Sequence, residues 1–316
     1  MIPVQQAIGR LGVGLAALGR PAYINIGRAE ALPQQRTAQA MREQTRKVLD
    51  AAHQRGIRWV DTARSYGSAE QFLADWLAER GHDDVTVSSK WGYAYVAEWR
   101  IETEVHEVKE HSLERLRSQW AETRTLLGRR INLYQVHSLT TTSPLFDDMA
   151  LQHELARIRD AGVQLGFSTS GAAQADTIEK AWELEVGGRQ LFSAVQSTWN
   201  TSEPSVGRAL NEAHTGGWRV LLKETLANGR LAVDPPAELA AIAAEHGVGP
   251  DAIALAHALR QPWADVVLLG VAGVEQLDSN LRACQVELGD KDLATLESLA
   301  RDAATYWGER AELPWH

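Results

Sequence analysis

Four residues that can move or orient a proton are spread through the first half of the chain: Asp61, Tyr66, Lys90 and His137. A free tyrosine has a pKa of about 10 and holds its proton too tightly for efficient acid/base work at neutral pH. A lysine cation beside the phenol would lower that pKa, and an aspartate would keep the lysine charged and oriented. A histidine could hydrogen-bond a substrate carbonyl. The set predicts acid/base chemistry at Tyr66 if the fold brings these side chains together.

Each of these residues also has an ordinary structural explanation. An aspartate at a strand end often caps the next helix, a tyrosine after a turn is often packing, and a lysine can be solvated. Their shared position argues for function, because Asp61, Lys90 and His137 each end a short apolar run and Tyr66 follows Asp61 by five residues. Ionisable groups at such positions suit a site better than a core.

Short apolar runs alternate with segments whose apolar residues recur with a helical period. The strand-like runs are Leu11–Leu15, Arg58–Asp61, Val85–Ser89, Leu133–His137, Gln164–Gly166, Ala194–Ser197, Val220–Lys223 and Val266–Leu269. The helical segments are Arg42–Arg55, Ala69–Ala78, Val105–Leu127, Leu151–Ala161, Ala173–Leu184, Ser205–Ala213 and Asp251–Leu259. This alternation predicts an α/β fold, a (β/α)8 TIM barrel, whose functional groups lie at the carboxyl ends of the strands.

No low-complexity linker divides the chain, so we expect residues 1–316 to form a single barrel domain. The segment 19–35 contains two prolines and predicts a long loop after the first strand. The tail 303–316 carries Tyr306, Trp307 and Trp315 and is too short for a domain. Both segments could cover the mouth of the barrel on the substrate side.

The composition is that of an ordinary globular protein with a net charge of −9. Such a charge disfavours a nucleic-acid surface, which needs clustered lysine and arginine. Cys284 is the single cysteine, and no spacing of cysteine or histidine suggests a metal. We therefore expect no metal. Because we find neither a secretory leader nor a run long enough to cross a membrane, we expect a cytoplasmic protein.

The motif carrying Asp61 and Tyr66, together with Lys90 and His137, resembles the catalytic tetrad of the aldo-keto reductases. The surrounding words agree: GIRWVD at Gly56–Asp61, Tyr66–Gly67 before a helix, and LYQVH at Leu133–His137. The resemblance runs from about Leu11 to Leu299. It implies a carbonyl reductase or alcohol dehydrogenase in which Tyr66 is the acid/base, assisted by Lys90 and Asp61, while His137 orients the carbonyl.

The resemblance also implies contacts with a nicotinamide cofactor. GFSTSG at Gly166–Gly171 is similar to the motif that binds the nicotinamide amide, with Thr169 where asparagine is usual, and Lys223 stands where many members have a stacking tyrosine. The loop Leu226–Leu231 is expected near the pyrophosphate, and Val266–Asn280 near the adenosine. The implied cofactor-binding residues are Ala16, Asp61, Ser168, Thr169, Gln196, Lys223, Leu226, Asn228, Gly229, Gly270, Ala272, Gln276 and Asn280.

The resemblance favours NADP(H) over NAD(H). A 2′-phosphate prefers a cation, yet the early part of Val266–Asn280 has Gly270, Val271, Ala272 and Gly273 where basic residues are common, and Arg282 is the nearest candidate. Aromatic residues are expected to line a substrate pocket for aldehydes or ketones with apolar groups. We single out Tyr23, Trp91, Tyr93, Trp199 and Trp307. The expected partner is a small molecule, and the chain is expected to be a monomer or small homo-oligomer.

Two other functions fit parts of the sequence. A regulatory subunit of this fold would bind the cofactor with little turnover, and an intact tetrad is compatible with that function. A metal-dependent barrel hydrolase would need paired ligands at strand ends, such as an HxH on the first strand, where this chain has GVGLA at Gly12–Ala16. Turnover of a simple aldehyde distinguishes the enzyme from the regulatory subunit.

Overall fold

A computed structural model of the protein describes residues 3–316. Eight parallel strands close into a barrel in the order β1-β10-β9-β8-β7-β6-β3-β2. These strands are β1 Leu11–Gly14, β2 Trp59–Asp61, β3 Thr86–Trp91, β6 Ile131–Leu139, β7 Gln164–Thr169, β8 Ala194–Thr198, β9 Arg219–Lys223 and β10 Val266–Leu269. The predicted (β/α)8 TIM barrel is therefore confirmed, and all eight predicted strands belong to it.

Helices surround the barrel and add to it at both termini. They are α1 Val4–Gly9, α2 Ala38–Gln54, α3 Ala69–Arg80, α4 Leu113–Leu127, α5 Met149–Asp160, α6 Gln174–Trp182, α7 Gly207–Thr215, α8 Arg230–Val233, α9 Ala237–His246, α10 Pro250–Leu259, α11 Val274–Leu281, α12 Asp290–Glu297 and α13 Ala303–Ala311. Among residues 3–316, none of these helices is both long and apolar enough to pass through a membrane.

The helix predicted over Val105–Leu127 is wrong in its first part. Residues Glu107–Lys109 form β5, which pairs antiparallel with β4, Tyr93–Tyr95. Helix α4 begins only at Leu113, because the Ser112 side chain accepts a hydrogen bond from the Arg115 amide (3.0 Å) and caps the helix. The resulting hairpin after β3 stands over the carboxyl end of the barrel.

The interior of the barrel follows the two-residue alternation of its strands. Trp59, Leu133 and Ala194 belong to an apolar cluster with Leu221, Val266 and Leu268. The next residues, Val60, Tyr134 and Val195, pack instead with the surrounding helices. Since side chains two apart share a face, Asp61, Gln135 and Gln196 point into the barrel one step nearer its carboxyl end. The alternation of side chains along the strands therefore places a layer of polar side chains above a layer of apolar side chains inside the barrel.

The segment 19–35 is irregular apart from a short 3-10 turn at Ala29–Ala31. The chain end returns to this segment after α13. The backbone N–H of Tyr23 donates to the carbonyl oxygen of His316 (3.2 Å), and the backbone N–H of His316 donates to the carbonyl oxygen of Tyr23 (3.2 Å). Arg28 also donates to the His316 carbonyl (2.9 Å). The loop and the tail thus contact each other, and residues of both line the cavity described below.

Candidate active site

Asp61 is the centre of a buried hydrogen-bond network at the carboxyl end of the barrel. Its Oδ1 accepts hydrogen bonds from Ser88 Oγ (2.7 Å), Gln135 Nε2 (3.2 Å) and Gln196 Nε2 (3.1 Å). Its Oδ2 forms an ion pair with the Nζ of Lys90, which is fully buried. Four partners from three strands thus satisfy a buried carboxylate that would otherwise be costly, and they fix the ammonium in place.

The Tyr66 phenol lies at the end of this chain of contacts. Lys90 Nζ is 3.5 Å from Tyr66 Oη and 3.0 Å from the carbonyl oxygen of Thr62. The turn that carries Tyr66 is fixed by close backbone packing, since a Cβ on Gly19 would lie 2.2 Å from the Tyr66 carbonyl oxygen. The structure thus brings Asp61, Lys90 and Tyr66 together as the spacing predicted.

The pKa of Tyr66 departs from expectation. Burial and the Asp61 carboxylate raise the pKa of Tyr66 well above its ordinary value, and Arg20 opposes them. The sequence predicts that Lys90 lowers this pKa, but burial dominates and the Lys90 ammonium is paired with Asp61. Tyr66 is therefore a protonated phenol at neutral pH, which suits a proton donor to a carbonyl oxygen.

His137 faces the phenol from the end of β6. Its ring lies edge-on to Tyr66 with centroids 5.5 Å apart, and its Nδ1 is 3.4 Å from Ser65 Oγ. Burial and the cations Lys90 and Lys223 hold the pKa of His137 well below its usual value. The imidazole is therefore neutral and can donate one N–H to a carbonyl oxygen.

A cavity of about 580 Å³ opens beside Tyr66 and His137 and extends to the start of α11. That volume is within the range of small-molecule and cofactor sites. The predicted site residues that line it are Asp61, Tyr66, His137, Ala16, Gln196, Lys223, Leu226, Asn228, Gly229, Gly270, Gln276, Asn280, Tyr23 and Tyr93. Residues from the first and last strands of the chain thus meet in one cavity.

Three predicted cofactor residues do not line this cavity. The Oγ of Ser168 accepts a hydrogen bond from the backbone N–H of Ser138 (2.8 Å). Ser138 itself has a positive φ of 53°. Thr169 Oγ1 donates to Gln174 Oε1 (2.9 Å) and lies 2.7 Å from Ser197 Oγ, which places it on the helix side of β7. The Ala272 amide donates to Gln276 Oε1 (2.8 Å). In this structure the polar groups of all three residues are bonded to other protein groups beside the cavity.

Three of the predicted substrate residues also lie outside the lining. Trp91 is fully buried, because it follows inward-facing Lys90 and alternation turns it toward the helices, where it packs on His111. Trp199 packs against Trp263 with ring centroids 5.8 Å apart, beside a separate outer cleft. Trp307 lies behind Lys223, whose Nζ is 5.9 Å from its ring centre. These three side chains therefore do not line the cavity.

Charged residues that sequence reasoning missed also line the cavity. Arg20 pairs with Glu107 (Nη1–Oε1, 2.7 Å), and Arg310 of α13 pairs with Glu224 (Nε–Oε2, 2.9 Å). Burial lowers the pKa of Lys223, beside Glu224, to about 8. The hairpin that carries Glu107 could have been predicted from the alternating side chains of Tyr93–Tyr95 (YAY) and Glu107–Lys109 (EVK). The pocket is thus more polar than its aromatic residues suggested.

The lining fits a nicotinamide dinucleotide. The Oδ1 atoms of Asn228 and Asn280 are buried and have no hydrogen-bond partner among residues 3–316. Both residues line the cavity, near Gly229 and Gly270, which keep the backbone accessible. Loop 224–229 has positive φ at Glu224, Ala227, Asn228 and Gly229, a conformation that can turn successive N–H groups toward an anion.

A different part of the surface gathers metal-type ligands. Within residues 3–316, the ligand atoms of His53, His82 and Asp84 lie within 4.8 Å of one another, at the amino ends of the strands. Arg58 already pairs with Asp84 (Nε–Oδ2, 2.5 Å), and the two imidazole rings stack 3.6 Å apart. Stacked rings do not direct their in-plane nitrogens to one point. The expected absence of a metal stays a prediction.

The model of the aldo/keto reductase family matches residues 10–301. The chain is 23% identical to aldo-keto reductase str7 of Strobilurus tenacellus, covering 94% of this chain and 89% of that protein. It is 25% identical to protein tas of Escherichia coli, covering 79% and 87%. Two structures have a TM-score of 0.68: aldo-keto reductase AKR11C1 from Bacillus halodurans (19% identity, 93% of each chain) and glycerol dehydrogenase AKR11B4 from Gluconobacter oxydans (18% identity, 92% and 90%). The two structures share the fold.

Proposed function

Because this chain belongs to the aldo/keto reductase family, whose members are oxidoreductases, we propose that it transfers hydride between NADP(H) and the carbonyl or alcohol group of a small molecule. The observation that carries the proposal is the chain Asp61–Lys90–Tyr66 ending in a cavity. Tyr66 is the acid/base, Lys90 and Asp61 assist it, and His137 orients the carbonyl. We also propose that residues 1–316 form one domain.

When bound, a reduced nicotinamide cofactor would supply the hydride for the carbonyl carbon. As the C=O π electrons move onto oxygen, Tyr66 Oη–H gives its proton to that oxygen and becomes a phenolate. Lys90 Nζ, 3.5 Å away, stabilises the new anion. Neutral His137 holds the same oxygen through an N–H. In alcohol oxidation the proton returns to Tyr66.

The cofactor contacts are proposed on the predicted positions. Ser168, Thr169 and Gln196 would hold the nicotinamide amide, although in this structure their polar groups bond to the protein. Leu226, Asn228 and Gly229 would face the pyrophosphate. The adenosine would lie toward α11, against Gly270, Ala272, Gln276 and Asn280. Ala16 and Lys223 complete this proposed set from the end of β1 and β9.

NAD(H) is a second candidate cofactor, favoured by the charges near α11. Glu275 lines that end of the cavity, whereas Arg282 is outside the lining and donates to the carbonyl of Gly247 (3.1 Å). Arg28 is buried with its donors on carbonyl oxygens of Ala17 and Pro21. Within the part of the chain that the structure describes, no cation without a partner faces a 2′-phosphate there.

Calorimetric titration of the metal-free protein with NADPH and NADH in parallel tests the binding. Binding of neither would overturn the proposal, and the tighter of the two identifies the cofactor. A screen of aldehydes and ketones for oxidation of the bound cofactor tests the chemistry. Tight binding without turnover of any carbonyl compound would instead indicate the regulatory subunit.

A further inference from the structure

Arg20 is a buried cation to which the proton transfer above gives no role. Its side chain is 1% exposed. The guanidinium carbon lies 4.5 Å from the ring centre of Tyr23, 4.8 Å from that of Trp315 and 5.0 Å from that of Tyr66. Three aromatic faces at these distances attract a cation, so its guanidinium has a fixed position against the phenol.

Glu107 of the hairpin supplies the counter-charge. Its Oε1 is 2.7 Å from Arg20 Nη1, which is also 3.3 Å from the carbonyl oxygen of Ser65. Arg20 is buried and Glu107 is half-buried, and such a pair rarely adds much net stability, because the hydration that the charges lose offsets their attraction. The pair therefore needs another explanation, and its position beside the acid/base tyrosine offers one.

The backbone holds Arg20 and Tyr66 at a constant separation. The Ser68 N–H donates to the Gly19 carbonyl (2.8 Å), and a Cβ on Gly67 would lie 2.5 Å from the same oxygen. Gly67 has a φ of 59°, which glycine adopts without strain. The loop after β1 and the turn after β2 therefore move as one piece.

We propose that Arg20 and Glu107 are positioning residues for the reaction: Arg20 fixes and stabilises the phenolate of Tyr66 beside Lys90, and Glu107 sets how much of the arginine's charge that phenol experiences. Neither touches the reacting carbonyl. The inference rests on the proposed acid/base role of Tyr66 for its functional meaning, but the electrostatic coupling can be measured without turnover.

The two partners act on the phenol with opposite signs. Arg20 lowers the pKa of Tyr66, whereas Glu107 raises it. Other charged or titratable groups also face Tyr66 or its immediate neighbours and stay constant in the comparison. They are Asp61 on β2, Lys90 on β3, His137 on β6, Lys223 and Glu224 at the end of β9, Arg310 on α13, and Tyr23 in the loop.

The variants Arg20→Met and Glu107→Gln test the proposal by removing one charge each. In protein whose tyrosines are replaced by 3,5-difluorotyrosine, which has a more acidic phenol, ¹⁹F NMR follows the ionisation, and Tyr66→Phe assigns the signal. We expect the pKa of residue 66 to rise by about 1 in Arg20→Met and to fall by about 1 in Glu107→Gln. Arg20→Lys, which keeps the charge, should return most of the shift.

Arg115→Met is the matched control, because Arg115 pairs with Glu110 (2.7 Å) just past the hairpin and does not touch Tyr66. It should leave the signal of residue 66 unchanged. The acidic limb of kcat/KM for oxidation of a simple alcohol should move with the NMR values. Equal pKa values in Arg20→Met and wild type, or shifts of the same sign in both variants, would overturn the proposal. NMR shifts of the expected signs without any turnover would overturn only the acid/base role.

Discussion

At the residue scale, the decisive feature is how Asp61 is satisfied. One carboxylate receives three neutral donors and one ammonium, all from inward-facing positions of the barrel. Lys90 is therefore oriented by Asp61 and still lies within reach of Tyr66. Burial and the Asp61 carboxylate raise the pKa of Tyr66 well above its ordinary value, so the phenol keeps its proton in the resting site.

Replacement of Tyr66 by phenylalanine should lower kcat for carbonyl reduction by about 10²–10⁴-fold, because the general acid is lost. The ring remains, so packing and the cofactor Kd should stay near wild type. Steady-state kinetics and a cofactor titration measure both. Near-normal turnover would place the acid elsewhere, with His137 the first suspect.

Lys90→Met should reduce turnover in the same way, and its effect should not add to that of Tyr66→Phe, since both act on one proton transfer. It also leaves the Asp61 carboxylate buried without its cation, which is costly for folding. Adding Asp61→Asn should restore the thermal stability without restoring turnover. Strictly additive kinetic losses would show that Lys90 has a different function.

At the element scale, the loops after β1 and β9 close over the cavity. The Ile26 N–H donates to the carbonyl of Asn228 (3.0 Å), and Asn228 Nδ2 donates to Asn25 Oδ1 (3.3 Å). Gly229 makes this contact possible: its φ is 92°, and a Cβ there would lie 2.4 Å from the Ile26 carbonyl oxygen. The two loops form a bridge beside the cavity in which we propose that the cofactor binds.

Gly229→Ala should therefore push the bridge apart and weaken cofactor binding on the order of tenfold, equivalent to about 1.4 kcal/mol. Gly217→Ala is the matched control, since its φ is 94° and a Cβ there meets nothing within 4 Å. Both variants carry similar backbone strain, so any larger effect of Gly229→Ala reports its additional contact with Ile26. Equal cofactor Kd values in the two variants would rule out the bridge as part of the binding site.

At the scale of the whole molecule, buried neutral histidines make the fold sensitive to acid. Burial lowers the pKa of His111 and of His257 to about 4 each, from about 6.5 when unfolded. Between these values the unfolded chain binds protons that the folded protein does not. Stability therefore falls as the pH falls from 6.5 toward 4.

Urea unfolding should show a loss of about 2 kcal/mol for each of these histidines between pH 7 and pH 5. His257→Gln keeps a polar partner for Thr201, whose Oγ1 is 3.2 Å from His257 Nδ1, and removes one titrating group. Its loss over the same pH range should be smaller than that of wild type by about 2 kcal/mol. An identical pH dependence in both proteins would contradict this account.

The sequence by itself determined what repeats or lies close along the chain. Short buried runs alternating with helical periods predicted the barrel, because each parallel strand must be covered by the helix that follows it. Asp61 and Tyr66 share one turn, and Lys90 and His137 end neighbouring strands. Their convergence followed from the rule that strand ends meet at one face of a barrel.

Only the tertiary structure decided what depends on distant contacts. The pair of Arg20 and Glu107 joins residues from a loop and a hairpin that no local pattern connects. The return of the chain end to Tyr23 is equally non-local. Trp91 shows the same limit: its place beside Lys90 suggested the pocket, but alternation turned its side chain to the helices. The direction of the Tyr66 pKa shift also depended on the burial of the phenol and on its distance to the Asp61 carboxylate, because a charge acts through its distance to every neighbour and not through its position in the sequence.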